Sequence, residues 1–296
     1  MQTDQVSDTG KLTLLKPGPM SSLQDRGRQG CQHLGLCSGG AADGYAFKWA
    51  NRLLDNPDDA ACLEITLGPC EIHFSHAARI ALCGASSECC IAGNPIPPWG
   101  TWNVGENETL SIPMAKTGLR FYLAVEGGFI AKKIFNSFSS LNPDGSLAVF
   151  KEGDKLAYPI SKNKKNTLKR SVYWKNIPDF RAELTLRLHP SYQYSLFSGE
   201  CRRKLFSSCY TLSPQCNRMG YRLQGDALKW ERGGIVSEGI AYGAVQIPPD
   251  GQPIVLLNDR QTIGGYPKIG CVSAEDCYLL AQRRPGQKVR FVLSNE

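Results

Sequence analysis

Apolar and polar residues alternate with period two through much of the chain, and helical spacing is confined to two short stretches. Leu184, Leu186 and Leu188 alternate with Thr185, Arg187 and His189, the pattern of a half-buried strand. Residues 11–16 read as a strand stopped by Pro17-Gly18-Pro19. Further strands are predicted over 62–67, 70–75, 79–83 and 119–125, and in the second half over 234–247, 252–257 and 287–293. Helical spacing appears over 42–54, through Ala42, Tyr45, Ala46, Trp49, Ala50 and Leu53, with Asp43 at or near the N-cap and Pro57 beyond the end. A second helix is predicted over 274–282, with Ser273 and Asp276 spaced as a capping box and Pro285-Gly286 after it.

Glycine (30 residues) and proline (18) together exceed their usual ~12% share, which favours tight turns between short strands. A chain of 296 residues accommodates about two domains of ~150 residues. The pattern therefore predicts a mainly β protein of two similar halves, 11–160 and 181–294, joined by a basic linker over 161–180. Gly44-Tyr45 and Gly220-Tyr221 each precede a Lys-Trp pair, a faint echo of duplication.

The net charge of +7 has a local origin. Residues 161–175 carry six positive charges and no acid, leaving the rest of the chain nearly neutral. That is the signature of a solvated linker or hairpin rather than of a nucleic-acid surface. No apolar stretch approaches the roughly 18 residues of a membrane span, and the first eight residues lack the basic and apolar regions of a signal peptide. A cytoplasmic location is expected. The twelve cysteines are accordingly expected as reduced thiols, mostly small buried hydrophobes. Cys70, His73 and His76 form the nearest approach to a metal cluster. On a strand, however, Cys70 and His73 point to opposite faces, and no metal is expected.

Five segments place glycine beside charged groups at expected turns: 24–30, 126–128, 217–223, 237–240 and 258–268. Glycine lets backbone N–H groups approach a ligand, and arginine forks match paired carboxylate or phosphate oxygens. Gly264-Gly265 with Thr262 and Lys268 suits an anion-holding turn. Two readings stand: Asp–Arg neighbours brace the turns locally, or the turns share an anion-binding cleft. The phosphate-loop, dinucleotide, serine-elbow and zinc-protease signatures are all missing.

These segments resemble a known family. Gln24-Asp25-x-Gly27-Arg28, Asn51 with Asn56-Pro57, Leu63-Glu64-Ile65-Thr66 and Tyr122-Leu123-Ala124-Val125-x-Gly127-Gly128 occur in its order, followed by Arg218-Met219-Gly220-Tyr221-Arg222-Leu223-x-Gly225 and Asp250-Gly251-Gln252-Pro253 through Gly264-Gly265-Tyr266-Pro267. The chain is similar from about residue 12 to 293 to the biotin-dependent carboxyltransferase-domain family, also called allophanate hydrolase subunit 2. The resemblance implies two cyclophilin-like β-barrel subdomains with a few short helices. It also implies the role of the C subunit in an ATP-dependent 5-oxoprolinase, a hydrolase that opens 5-oxo-L-proline to L-glutamate. The B subunit (itself cyclophilin-like) and the A subunit would be its partners, with ATP and Mg2+ in the complex and no biotin attachment site on this chain.

On the matched positions, Asp25, Glu238 and Lys268 are expected as catalytic groups. Gln24, Arg28, Gly127, Gly128, Arg218, Arg222, Arg260, Thr262, Gly264, Gly265 and Tyr266 are expected to bind substrate or phosphate. The family has two other possible roles: a carboxyltransferase acting on a urea-like amide, and a regulatory protein that binds a kinase-inhibitor homologue of the B subunit. The sequence departs from the family pattern in three places. Asn217 stands where an aspartate is usual, Ala42 where a methionine is, and Asn136-Ser137-Phe138-Ser139-Ser140 where the family has Gly-Ser-x-Ser-Thr. The altered loop bears on substrate choice.

Overall fold

The computed structural model describes residues 9–142, 144–160 and 168–294. They form two compact units that are not contiguous in sequence. One comprises the chain up to Gly27 together with Gly44–Pro178, and the other comprises Arg28–Asp43 with the chain from Asp179 on. The division expected over 161–180 did not foresee the segment 28–43, which belongs to the second unit.

In the first unit, β1 (Thr9–Lys16), β2 (Met20–Gln24), β3 (Cys62–Thr66), β4 (Cys70–Phe74), β5 (Ala78–Ser86), β6 (Cys90–Ile91), β7 (Asn94–Pro95), β8 (Gly100–Val104), β9 (Thr109–Ile112), β10 (Thr117–Val125) and β11 (Lys155–Pro159) make two antiparallel sheets. Their orders are β11-β1-β4-β9-β6-β7 and β2-β3-β10-β5-β8. Leu12, Leu14, Ile72 and Phe74 from one sheet meet Leu63, Ile65, Leu82 and Phe121 from the other in a single core. Each such side chain contributes about 1.5–3 kcal/mol by leaving water. Strand β4 buries Cys70, Ile72 and Phe74 and turns Glu71 and His73 the other way, as period two requires.

The helix α1 (Gly44–Leu53) packs on β3, β5, β8 and β10, so the five-stranded sheet is covered on both faces. This accounts for the unbroken buried run Phe121–Val125, where a one-sided strand would alternate. Beyond residue 167 the basic segment is anchored rather than loose. Arg170 pairs with Asp55 at 2.7 Å, its backbone N–H donates to Thr101, and Arg79 donates to the Leu168 carbonyl. Its residues 161–167 lie outside the described ones.

The second unit is a closed barrel of β12 (Leu184–Pro190), β13 (Tyr210–Leu212), β14 (Gly220–Gln224), β16 (Ala244–Gln246), β17 (Ile254–Leu256), β19 (Lys268–Val272) and β20 (Lys288–Leu293), in the order β12-β19-β16-β17-β14-β13-β20. A separate two-stranded ribbon pairs β15 (Glu238–Gly239) with β18 (Ile263–Gly264). The strand expected over 234–247 is thus broken into a ribbon strand and a barrel strand. Gly243 makes the break: its φ is +79°, and a Cβ there would lie 2.4 Å from the Val272 carbonyl oxygen. Leu186, Leu188, Tyr221, Leu223, Val245, Val255, Ile269 and Phe291 fill the barrel.

The helix α2 (Gly199–Ser207) was not legible as a periodic pattern. It begins at Ser198, whose hydroxyl accepts the Cys201 N–H at 3.1 Å, and it lies on β20. The predicted second helix is α3 (Ala274–Leu280), but its capping box is not formed. The Asp276 carboxylate turns to Arg187 and accepts its backbone N–H (2.7 Å), Nε (3.0 Å) and Nη2 (3.0 Å), a stronger set of donors than one helix N–H. All twelve cysteines are free, and half of them are buried.

Candidate functional site

The interior of the barrel is filled, so space for a ligand must come from its outer face. Tyr221 and Leu223 point inward from β14, which sends Gly220 and Arg222 outward. Val255 does the same for Ile254 and Leu256, and Val245 for Ala244 and Gln246. The register places Arg222 and Gln246 on either side of Ile254. Ile240, Ala244, Ile254 and Leu256 make a small apolar cluster on this face. Above it a cavity of about 330 Å3 is walled by these strands, by Asn217 and Met219, and by Arg260 and Tyr266 from the loops that carry the ribbon.

The charged groups of this cavity, Arg222 and Arg260, are both donors, and no carboxylate lines it. Gln246 is only 6% exposed, and its Nε2 has no hydrogen-bond partner among the described residues. Arg260, also 6% exposed, donates from Nε to the Ile240 carbonyl at 2.9 Å and from Nη1 to the Leu257 carbonyl at 3.1 Å, and it lies against the Tyr242 ring. Among the described residues no carboxylate forms an ion pair with it. Burial works against its charge and pulls its pKa below the ordinary arginine value. A more open hollow of about 410 Å3 shares Arg260 and Ile240 and adds His33 and Thr262.

Beside the cavity lies a closed polar network. Glu238 forms an ion pair with Lys268 Nζ at 2.5 Å and accepts Gln193 Nε2 at 2.8 Å and the Tyr192 hydroxyl, and the side-chain Oε1 of Gln193 accepts the Lys268 backbone N–H at 2.7 Å. Partial burial alone would raise the Glu238 carboxyl. The bonds from Lys268 and Tyr192 outweigh that and hold it below the usual range, while the same contact pushes the Tyr192 phenol up. Glu238 and Lys268 thus neutralise one another, so neither presents a free group.

The anion-holding turn expected at Gly264-Gly265 is not formed. Gly264 is a ribbon strand residue opposite Glu238, and neither glycine is left-handed. Glycine is needed for space. A Cβ at residue 264 would lie 2.8 Å from Ile240 Cδ1 and 3.1 Å from Gln246 Nε2, closing the cavity from that side.

Arg218 takes a structural role. It is 4% exposed, grips Asp259 from Nε (2.7 Å) and Nη2 (3.1 Å), and donates to the Gly40 carbonyl at 2.7 Å. Asn258 adds bonds to the carbonyls of Gly39 and Ala41, both at 3.1 Å. Together they pin the 28–43 segment, in which Arg28 is buried, to the second unit. Asn217 makes a local turn by accepting the N–H groups of Met219 (2.8 Å) and Gly220 (3.3 Å), which an amide oxygen does as well as a carboxylate.

Gln24, Asp25, Gly127 and Gly128 belong to the first unit. Gln24 is fully buried and donates to Ser22. Asp25 is 5% exposed and accepts Gly27 N–H (2.8 Å), Ser137 Oγ (2.6 Å), Phe138 N–H (2.6 Å) and Ser139 Oγ (3.0 Å). With both oxygens engaged it is an anchor for the 137–139 loop, not an available base. Asn136 opens that loop at φ +60°, a conformation asparagine tolerates where the family pattern has glycine. Gly127 is left-handed (φ +80°), donates to Asn56 at 2.8 Å and has no room for a Cβ, which would lie 2.6 Å from Pro159. Gly128 is left-handed as well.

Residues 34–293 match the model of the carboxyltransferase domain, subdomain A and B. The chain belongs to this carboxyltransferase-domain family. It is 36% identical to the C subunit of 5-oxoprolinase from Escherichia coli over 95% of this chain and 90% of that protein. It is 32% identical to the protein of that name in Haemophilus influenzae, over 92% and 87%. Urea amidolyase of Saccharomyces cerevisiae is 29% identical over 93% of this chain but only 16% of its own length.

Among solved structures, that of TTHA0988 superposes with a TM-score of 0.85 at 30% identity, covering 97% of this chain and 56% of the other. The chain therefore spans little more than half of that protein. Urea amidolyase of K. lactis gives the same TM-score at 23% identity over 96% of this chain, a likeness of fold. No helix among the described residues is long and apolar enough to cross a membrane.

Within this carboxyltransferase domain, sequence reading located Arg222, Arg260 and Tyr266 but missed Gln246, Gln193 and Tyr192. A glutamine near the end of a short apolar strand carries no signal of its own. The signal available for Gln246 was period two: it shares its face with Ala244 and is opposed to the core residue Val245.

Proposed function

We propose that this chain is the C subunit of a 5-oxoprolinase, acting with A and B subunits to open 5-oxo-L-proline to L-glutamate at the expense of ATP. The observation that carries the reading is near full-length likeness, 36% identity over 95% of this chain and 90% of a protein that bears that name. The donor-rich outer pocket is consistent with it. Its two arginines suit a substrate that carries a negative charge.

In this reading Arg222, Arg260, Gln246 and Tyr266 face the substrate. Glu238 and Lys268 hold the ribbon above it, and Asp25 positions its loop. Neither carboxylate acts as a base in the arrangement described. The residues lining the pocket include no carboxylate, and no group of acidic, histidine or cysteine side chains suited to a metal occurs among the described residues. The pocket therefore does not fit a nucleotide with Mg2+. Nucleotide and metal are assigned to the partner chains.

Mixing the chain with candidate A and B subunits and measuring glutamate and ADP released from 5-oxoproline tests the proposal. Stoichiometric release that requires all three chains is expected. The similarity to urea amidolyases supports a second reading, carboxyl transfer to a urea-like amide. Turnover that depends on bicarbonate and a biotinylated carrier, with none on 5-oxoproline, would select it.

A further inference from the structure

We propose that the outer-face pocket of the second unit is a carboxylate-binding site, which reads the acid group of a small ring substrate through Arg222, Arg260 and Gln246. Three observations converge. The first is an imbalance of charge. Arg222 and Arg260 are the charged residues of the lining, and both are positive. A buried guanidinium without a counter-charge is costly, and among the described residues Arg260 meets two backbone carbonyls and the Tyr242 ring but no carboxylate. An anion entering the pocket supplies what the fold omits. Arg218 shows the contrast, since in the same unit its fork is closed by Asp259.

The second observation is Gln246. Its Nε2 is buried, lines the cavity and lacks a partner among the described residues, so its hydrogen-bonding capacity is held for something absent from the chain itself. Gly264 preserves the gap: a Cβ there would approach that same nitrogen to 3.1 Å.

The third is shape. Ile240, Ile254, Leu256 and Met219 supply an apolar wall, and about 330 Å3 is at the small end of ligand cavities. A free inorganic anion has no use for the wall, and a flat amide such as urea has no charge for the arginines. A compact ring bearing one carboxylate uses both.

Identification of the ring as 5-oxoproline rests on the function proposed above, whereas the carboxylate readout does not. It also gives a physical basis for choosing between the two amide classes met in this family. Loss of a charge-assisted partner in a buried site weakens binding by one to several orders of magnitude.

The test uses the full chain and its complex with A and B subunits. Binding of 5-oxo-L-proline, of 2-pyrrolidinone (the same ring without the carboxylate) and of inorganic phosphate is measured by titration calorimetry and by competition. The proposal expects 5-oxoproline to bind at least tenfold more tightly than 2-pyrrolidinone and not to be displaced by equimolar phosphate. It also expects a tenfold or greater weakening in Arg222→Ala, an exposed position that leaves the barrel intact, and in Gln246→Leu. Equal binding of the two rings, displacement by phosphate, or unchanged affinity in both variants would overturn it. Absence of 5-oxoproline binding to both chain and complex would do the same.

Failure of the site and failure of the function are separable. Turnover of 5-oxoproline with an unaltered KM in Arg222→Ala removes the site and leaves the function. Selective carboxylate binding without turnover by any reconstituted complex removes the function and leaves the site.

Discussion

The Asp25 turn of the first unit and the Arg260 turn of the second carry the same kinds of residue and do opposite things. Around Asp25 every acceptor is used: two serine hydroxyls and two backbone N–H groups converge on one buried carboxylate. Around Arg260 the balance is left open, with a buried cation, an amide nitrogen on Gln246 that has no partner among the described residues, and a cavity that both line. Residue type does not separate a ligand site from a structural brace. The separation lies in whether charge and hydrogen bonds are balanced within the chain itself.

The largest effect expected from this contrast is at the closed turn. Asp25→Ala strands four donors, and a loss of about 3–5 kcal/mol is expected in urea unfolding. A loss under 1 kcal/mol would mean the turn is not closed.

The two buried arginines sharpen the same point. Arg218→Met leaves the largely buried Asp259 carboxylate, 12% exposed, without its guanidinium and is expected to cost about 3 kcal/mol or more. Arg260→Met removes a charge that has no counter-ion among the described residues but also two bonds to backbone carbonyls, and is expected to cost about 1–2 kcal/mol while abolishing carboxylate binding. Equal losses in the two variants would erase the distinction. Next comes the backbone that delivers the loop to Asp25. Asn136→Val places a β-branched residue at φ +60° and is expected to lose about 1–2 kcal/mol, whereas Asn136→Gly stays within about 0.5 kcal/mol of the parent.

The smallest effect is pH-dependent. The Glu238 carboxyl titrates lower in the fold than in the unfolded chain, because its bonds from Lys268, Tyr192 and Gln193 outweigh the opposing effect of burial. Its stabilisation is therefore complete above the unfolded value of about 4.3 and is lost as the pH falls through the lower folded value. The Tm difference between wild type and Glu238→Gln is expected to be widest near pH 7 and to close in acid. The group is partly exposed, which limits the contribution to about 1 kcal/mol. A gap that stays constant down to pH 2 would show that the Glu238 charge plays no part.

Much of the fold was legible because burial writes itself into period. The strand over Leu184–Pro190 and the helix over Gly44–Leu53 follow from spacing alone. Where the sequence misled, a tertiary contact had taken over. Asp276 left the helix end for Arg187, Gly243 ended a strand because a carbonyl passes behind it, and a short polar helix formed against β20 with little periodicity of its own. The candidate site was half visible. Arg222, Arg260 and Tyr266 stood out by type and position, but Gln246 became a candidate only once its face of the barrel was known.

By itself the sequence determined the class of architecture, the family and the set of chemically capable residues, because hydrophobic period and motif order are local or additive properties. Only the tertiary structure decided which arginines are spent. A counter-charge such as Asp259 for Arg218 lies 41 residues away along the chain, and whether it arrives depends on strand register and loop path, not on any pattern the neighbouring residues carry.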